Sequence, residues 1–225
     1  MDIIQAITQE LKVEKWQVEA AVKLIDEGNT IPFIARYRKE MTGALNDETL
    51  RNLHERLLYL RNLEEKKEQV INAITDQGKM TEDLKKKILS AETLVAVDDL
   101  YRPYRPKKQT RATKAKEKGL EPLANILLLQ KTTKSMEEEA AAFVNAEKGV
   151  ANAKEAIAGA KDIIAEMIAD MADYRKSIRN CTMKQGSLVV KAKDEKAESV
   201  YEMYYDFREP LSKVTGYRVL AINRG

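Results

Sequence analysis

Apolar residues recur at intervals of three and four along most of this chain, the spacing that lays them on one face of an α-helix. Ile3, Ile4, Ile7 and Leu11 predict a short amphipathic helix over residues 2–11. A break at Lys12–Val13 leads to a second helix over about 14–27, with Trp16, Val18, Ala21, Val22 and Ile25 inward and Gly28 as its stop. Trp16 reads as a core residue of this hairpin, since large aromatics ordinarily serve burial. Thr30 can cap a brief third helix, Pro32 suits its first turn, and the element should run to about Glu40. Phe33, Ile34 and Tyr37 then face inward. Arg36, Arg38 and Lys39 fall on the opposite side, placed either to grip phosphate or to pair with acidic helices.

Asn46-Asp47-Glu48 opens the longest helix of the first half, an acidic start that suits the positive end of the helix dipole. Leu50, Leu53, Leu57, Leu60, Ile71 and Ile74 hold its seam, which Glu64 and Lys67 break while Leu63 and Val70 lie one position aside. About thirty residues make a rod of roughly 45 Å. An antiparallel partner is expected, either the helix capped by Thr81 or the longer one at 151–183. Residues 81–100 supply one or two short helices, and 119–130 and 136–146 two more. Residues 150–183 read as a second rod, with Ile157, Ile164, Met167, Met171, Tyr174, Ile178 and Cys181 in line. Ser187–Lys193 is strand-like, and Glu195–Arg208 returns to helical spacing with Val200, Tyr201, Tyr204 and Phe207. The ending TGYRVLAINRG is apolar and helix-like, which predicts a longer parent protein.

The expected fold class is therefore all-α. It is a multi-helix array with a helix–turn–helix-like N-terminal hairpin (1–45), an elongated helical domain (46–225), two long helices and at most one short strand pair near 187–193. Composition agrees: Gly and Pro together number fourteen, too few for the turns of an all-β fold. No basic stretch followed by an apolar core opens the chain, and no apolar run approaches eighteen residues. A single cysteine, Cys181, excludes an internal disulfide, and a cytoplasmic setting is expected.

Charge changes the picture at one place. Tyr101 to Lys118 holds eight of the 39 cationic residues against one of the 36 acids, leaving 31 and 35 elsewhere. Pro103 and Pro106 should keep this segment extended and out of helix. Cations and aromatic faces on a stiffened strand suit phosphates and unstacked bases; the alternative is a solvated linker. The candidate contact residues are Tyr101, Arg102, Tyr104, Arg105, Lys107, Lys108, Arg111 and Lys114, with Arg36 and Arg38 beside them.

Catalytic chemistry is thin. A Ser-His-Asp or Cys-His site would need His54, the one histidine, and no Gly-x-Ser-x-Gly turn accompanies it. Zinc needs three or four Cys and His ligands where the chain has two, and no P-loop is present. Asp98 and Asp99 would point about 100° apart on a helix and not converge on one metal. A non-enzymatic chain without cofactor, metal or catalytic residues is expected.

The segments TIPFIARYRKEMTGAL, DDLYRPYRPKKQTRATKAKEKGLEPLA and YRVLAINRG resemble the N-terminal region of the Tex family of bacterial transcription accessory proteins, in order and spacing across essentially the whole chain. The resemblance implies a helical region preceding a ribonuclease-H-like domain, helix–hairpin–helix modules and an OB-type RNA-binding domain. It implies a nucleic-acid-binding role in transcription, similar to a eukaryotic elongation factor that travels with RNA polymerase. Two positions depart from the family pattern. Tyr217 stands where histidine is more usual, and Arg102 where an aliphatic residue is common. Two roles follow as expectations. In one, the chain makes sequence-independent contacts to RNA or DNA. In the other, it is a protein scaffold that docks RNA polymerase or the protein's own later domains and binds no nucleic acid.

Overall fold

The computed structural model describes residues 2–106, 108–194 and 196–224, and they form a mostly helical array in two compact units, Met1–Tyr104 and Arg105–Gly225. The first contains α1 (Ile3–Leu11), α2 (Lys15–Asp26), α3 (Ile31–Tyr37), α4 (Asp47–Asp76), α5 (Glu82–Leu89), α6 (Leu94–Tyr101) and a 3-10 turn at Arg102–Tyr104. The 30-residue α4 is the axis, with α1, α2, α3, α5 and α6 packed around it. Asn46 caps it by accepting from the Thr49 N–H at 2.7 Å.

The α4 seam is continuous. Leu50, Leu53, Leu57, Leu60, Leu63, Lys67, Val70 and Ile74 are all buried and follow one another by steps of three or four without a gap. The expected interruption at Lys67 does not occur, and Ile71 is displaced to the edge of the core. Lys67 is only 1% exposed. Its ammonium donates to Glu64 Oε1 at 2.8 Å and to the Leu89 carbonyl at 2.9 Å, the last residue of α5. The charge is tolerated inside because it satisfies a carbonyl that the end of α5 leaves without a helical partner.

Two bidentate pairs clamp the neighbouring helices onto α4. Arg56 donates to both Glu10 oxygens at 2.5 and 2.6 Å, and Arg61 to both Asp26 oxygens at 2.7 and 2.8 Å. Trp16 and Tyr37 depart from expectation. Trp16 is 52% exposed, its indole lying over Gly43, where an added Cβ would sit 2.4 Å from the ring. Gly43 also has φ +61, so glycine serves both the turn and the indole. Tyr37 is 65% exposed, its ring against Phe33 at 5.3 Å, and α3 ends at Tyr37 without reaching Glu40. Helical spacing marks a face wider than the strip that α4 covers.

The second unit contains α7 (Arg111–Glu117), α8 (Glu121–Leu129), α9 (Met136–Ala141), α10 (Ala153–Asp170), α11 (Ala172–Gln185), the strands β1 (Ser187–Lys191) and β2 (Asp206–Pro210), and α12 (Gly216–Arg224). Its core is built from small residues, chiefly Ala112, Ala115, Ala124, Ala156 and Ala160, with Leu120, Leu123 and Ile163. α7, α8 and α9 all pack on α10.

Four expectations are corrected here. The rod at 150–183 is two helices, because Met171 adopts an extended ψ of 117°. On α11 no residue is buried, and Tyr174, Ile178 and Cys181 are exposed although they keep the spacing. The helix expected at 195–208 is a 3-10 turn, Glu202–Tyr204, followed by β2. β2 runs antiparallel to β1, pairing Val190 with Phe207 and Leu188 with Glu209. Alternation at Phe207 and Glu209 and the terminal Pro210 suit a short strand, and cross-strand pairing outweighs a helical reading of Tyr204 and Phe207. Val200, expected on that helical face, is 88% exposed. The expected helix at 136–146 ends at Ala141.

Among the described residues no helix is long and apolar enough to cross a membrane.

Candidate functional site

The basic segment is not one extended ribbon. Its front belongs to the first unit and its back to the second. Tyr101 closes α6, and Pro103 lies within the 3-10 turn where extended backbone was expected. Tyr101 and Tyr104 are half-buried against the first core, and the Tyr104 carbonyl accepts from Gln77 Nε2 at 3.0 Å. Arg102 is exposed on that turn. On α3, Arg36 is exposed. Arg38 is half-buried, donating to the Tyr37 carbonyl at 3.1 Å with its guanidinium 5.0 Å from the Phe33 ring centre. Neither Arg36 nor Arg38 forms an ion pair among the described residues.

In the second unit the segment becomes α7, which sequence periodicity did not reveal. Thr110 caps it by accepting from the Thr113 N–H at 3.0 Å, and the same hydroxyl donates to Glu166 Oε2 on α10 at 2.8 Å. Ala112 and Ala115 turn inward. Opposite them, Gly159 on α10 leaves room that a Cβ would deny, since it would lie 2.4 Å from Leu120 Cδ1 and 3.3 Å from Ala115 Cβ. This close seat fixes α7 and directs its long side chains outward.

Arg111, Lys114 and Lys118 follow at intervals of three and four, and so share one flank of α7. Together they line a groove of about 270 Å³ whose other wall includes Glu155 and Asp162 of α10. Arg111 pairs with Asp162 at 3.6 Å while its side chain stays 87% exposed, a contact too long and too wet to hold it. Lys118 donates to the Gly149 carbonyl at 2.8 Å, and Lys116 pairs with Glu121 at 3.5 Å away from the groove. Arg105, Lys108 and Lys114 are exposed and form no ion pair among the described residues; Lys107 lies outside them. Lys118 was not singled out from the sequence, although its spacing from Arg111 and Lys114 carried the signal. The flank thus sets three positive charges along one side of a helix, at its rigid spacing.

No cluster of three or more His, Cys, Asp or Glu residues that could hold a metal occurs among the described residues. His54 is half-buried on α4 and Cys181 is exposed. Asp98 pairs with Lys66 at 3.7 Å while Asp99 is buried, so the two carboxylates diverge.

Residues 1–75 match the family described as Tex-like protein N-terminal domain, and residues 131–225 match Tex central region-like. The chain belongs to the Tex family. It is 45% identical to the YdcI protein of Bacillus subtilis (strain 168), covering 98% of this chain and 31% of the relative. It is 41% identical to transcriptional accessory protein Tex of Neisseria gonorrhoeae, covering 100% of this chain and 30% of the relative. It is 32% identical to S1 RNA-binding domain-containing protein 1 of Homo sapiens, covering 100% of this chain and 23% of the relative. This Tex-family chain thus spans less than a third of the length of these relatives, and the cationic residues 101–118 lie between the two family matches.

Proposed function

We propose that this chain is a nucleic-acid-binding helical region of a transcription accessory factor, gripping RNA or DNA phosphates without regard to sequence. The observation that carries the reading is the cationic flank of α7, Arg111, Lys114 and Lys118, on a helix anchored by Ala112, Ala115 and Gly159. Arg105 and Lys108, exposed in the same unit, extend the positive surface toward its start. Phosphate contacts of this kind position a strand but carry no base information. The names of the relatives, a transcriptional accessory protein and an S1 RNA-binding domain-containing protein, support this reading. The chain acts by binding and not by turnover.

Salt dependence is the test. Neutralising four to six phosphates gives a log-affinity slope against log salt of about −3 to −5. Changing Arg105, Lys108 and Lys114 to Glu reverses three exposed charges, Lys114 among them on the groove itself, and should weaken binding to single-stranded RNA and duplex DNA together and flatten that slope. Unchanged affinity and slope would sink the reading.

A second reading has its own observation. α11 carries Tyr174, Ile178 and Cys181 exposed along one side with no residue buried, a face suited to a protein partner such as RNA polymerase or further domains of a longer protein. On that reading the chain shows no nucleic-acid affinity at any salt, and changing Tyr174 and Ile178 to Ser abolishes capture of those partners.

A further inference from the structure

The two-stranded ribbon carries a second surface of different chemistry. β1, the loop after it and the 3-10 turn before β2 enclose a cleft of about 390 Å³, within the range of small-ligand sites. Three tyrosines, Tyr201, Tyr204 and Tyr205, and two lysines, Lys191 and Lys193, line it.

The tyrosines have separable duties. Tyr205 is part of the frame: its hydroxyl donates to the Ala197 carbonyl at 2.5 Å, and its own carbonyl accepts from the Ala192 N–H at 2.8 Å. These two bonds tie the loop after β1 to the turn before β2. Tyr204 is braced edge-on by Phe207, ring centres 5.4 Å apart at 73°. Tyr201 is held through its backbone, its N–H donating to Ser199 Oγ at 3.2 Å, a bond that leaves the ring out. Two half-buried rings therefore face the cleft without carrying its frame.

Charge around the rings favours an anion. Lys191 and Lys193 are exposed and form no ion pair among the described residues. The lining acid, Asp194, already accepts from the Lys196 N–H at 3.0 Å. An aromatic wall beside exposed ammonium groups matches an unstacked base with its phosphate, because every base offers a π-face whatever its sequence.

We propose that this cleft receives one unstacked base of a single-stranded nucleic acid, with the ring on Tyr201 and Tyr204 and the adjoining phosphate on Lys191 and Lys193. The proposal rests on the nucleic-acid reading for its class of ligand but on different residues for its site. It also adds a property that phosphate contacts on α7 lack, discrimination of single strands from duplex, since a paired base cannot leave the stack to enter.

The probe is a bromouridine-substituted single-stranded RNA and a duplex of the same sequence, each titrated against the 225-residue chain and then photo-crosslinked. The expected crosslinks map to the peptide holding Tyr201 and Tyr204. Changing both to Ala should weaken single-strand binding about tenfold, leave duplex binding within twofold and leave the salt slope unchanged. Changing both to Phe, which keeps the stacking faces, should retain single-strand affinity and guards against a folding defect in the Ala variant. Crosslinks confined to other segments would overturn the proposal, as would single-strand affinity that survives the Ala variant. So would an equal loss for single strand and duplex. If the chain binds neither probe at low salt, both readings fail. If the salt slope persists while the tyrosine variants are silent, only the cleft fails.

Discussion

Lys67 stands where a leucine would complete the α4 seam, and what the ammonium touches explains why it is tolerated. Burial opposes ionisation of Glu64, and hydrogen bonds led by that from Lys67 more than offset it, holding the carboxyl below its usual range. Replacing Lys67 with Ala strips the donor from Glu64 and from the Leu89 carbonyl and opens a cavity. The expected cost is about 2–3 kcal/mol in urea unfolding. Changing Lys67 to Met together with Glu64 to Gln removes both charges at similar volume and should fall within about 1 kcal/mol of the parent. Asp26 gives a pH-dependent counterpart. The hydrogen bonds from Arg61 hold its carboxyl below the usual range, against the opposing effect of burial. A lowered folded pKa means a contribution complete above the unfolded value near 4 and lost as pH falls through the lower folded value. Both side chains are nearly half exposed, so the pair is worth only about 0.5 kcal/mol. A double-mutant cycle of Asp26→Ala and Arg61→Ala should return that coupling at pH 7 and a smaller one at pH 3.

At the scale of elements, α7 links fold to function. Its two inward alanines are too few to register as a periodic pattern among eight cations, so the sequence reads as an extended ribbon while the structure makes part of it a helix. What makes the helix hold is remote: Gly159, more than forty positions on, and the Glu166 carboxylate that receives the Thr110 hydroxyl. Changing Gly159 to Leu drives a side chain into Leu120 and Ala115. It should cost about 2–3 kcal/mol by thermal or urea unfolding, after the small gain in helix propensity. Because it unseats the helix that carries Arg111 and Lys114, the same variant should bind nucleic acid more weakly although no cation is lost. A variant that keeps full affinity while losing stability would show that the cations act independently of α7's seat. α11 teaches the complementary lesson. Its spacing describes a face able to be buried, and within this chain that face is exposed.

Across the whole molecule, each of the two units closes around its own core, one leucine-rich about α4 and one alanine-rich about α10. The all-helical class, the α4 rod, the Gly28 stop after α2 and the strand at Ser187–Lys191 were all legible in the chain. Each depends on signals within a few residues of itself, namely period, cap and turn. Concentration of positive charge between Tyr101 and Lys118 was legible for the same reason, being a matter of composition. Tertiary structure alone decided that Lys67 lies inside, that Trp16 covers a glycine turn, that Met171 divides a rod and that residues 206–210 pair as a strand. It also sorted the tyrosines, setting Tyr101 and Tyr104 against a core and Tyr201 and Tyr204 in a cleft. Local sequence states which face of a helix can be buried. Which neighbour buries it, and which cations are left facing solvent, depends on contacts tens of residues apart that periodicity does not encode.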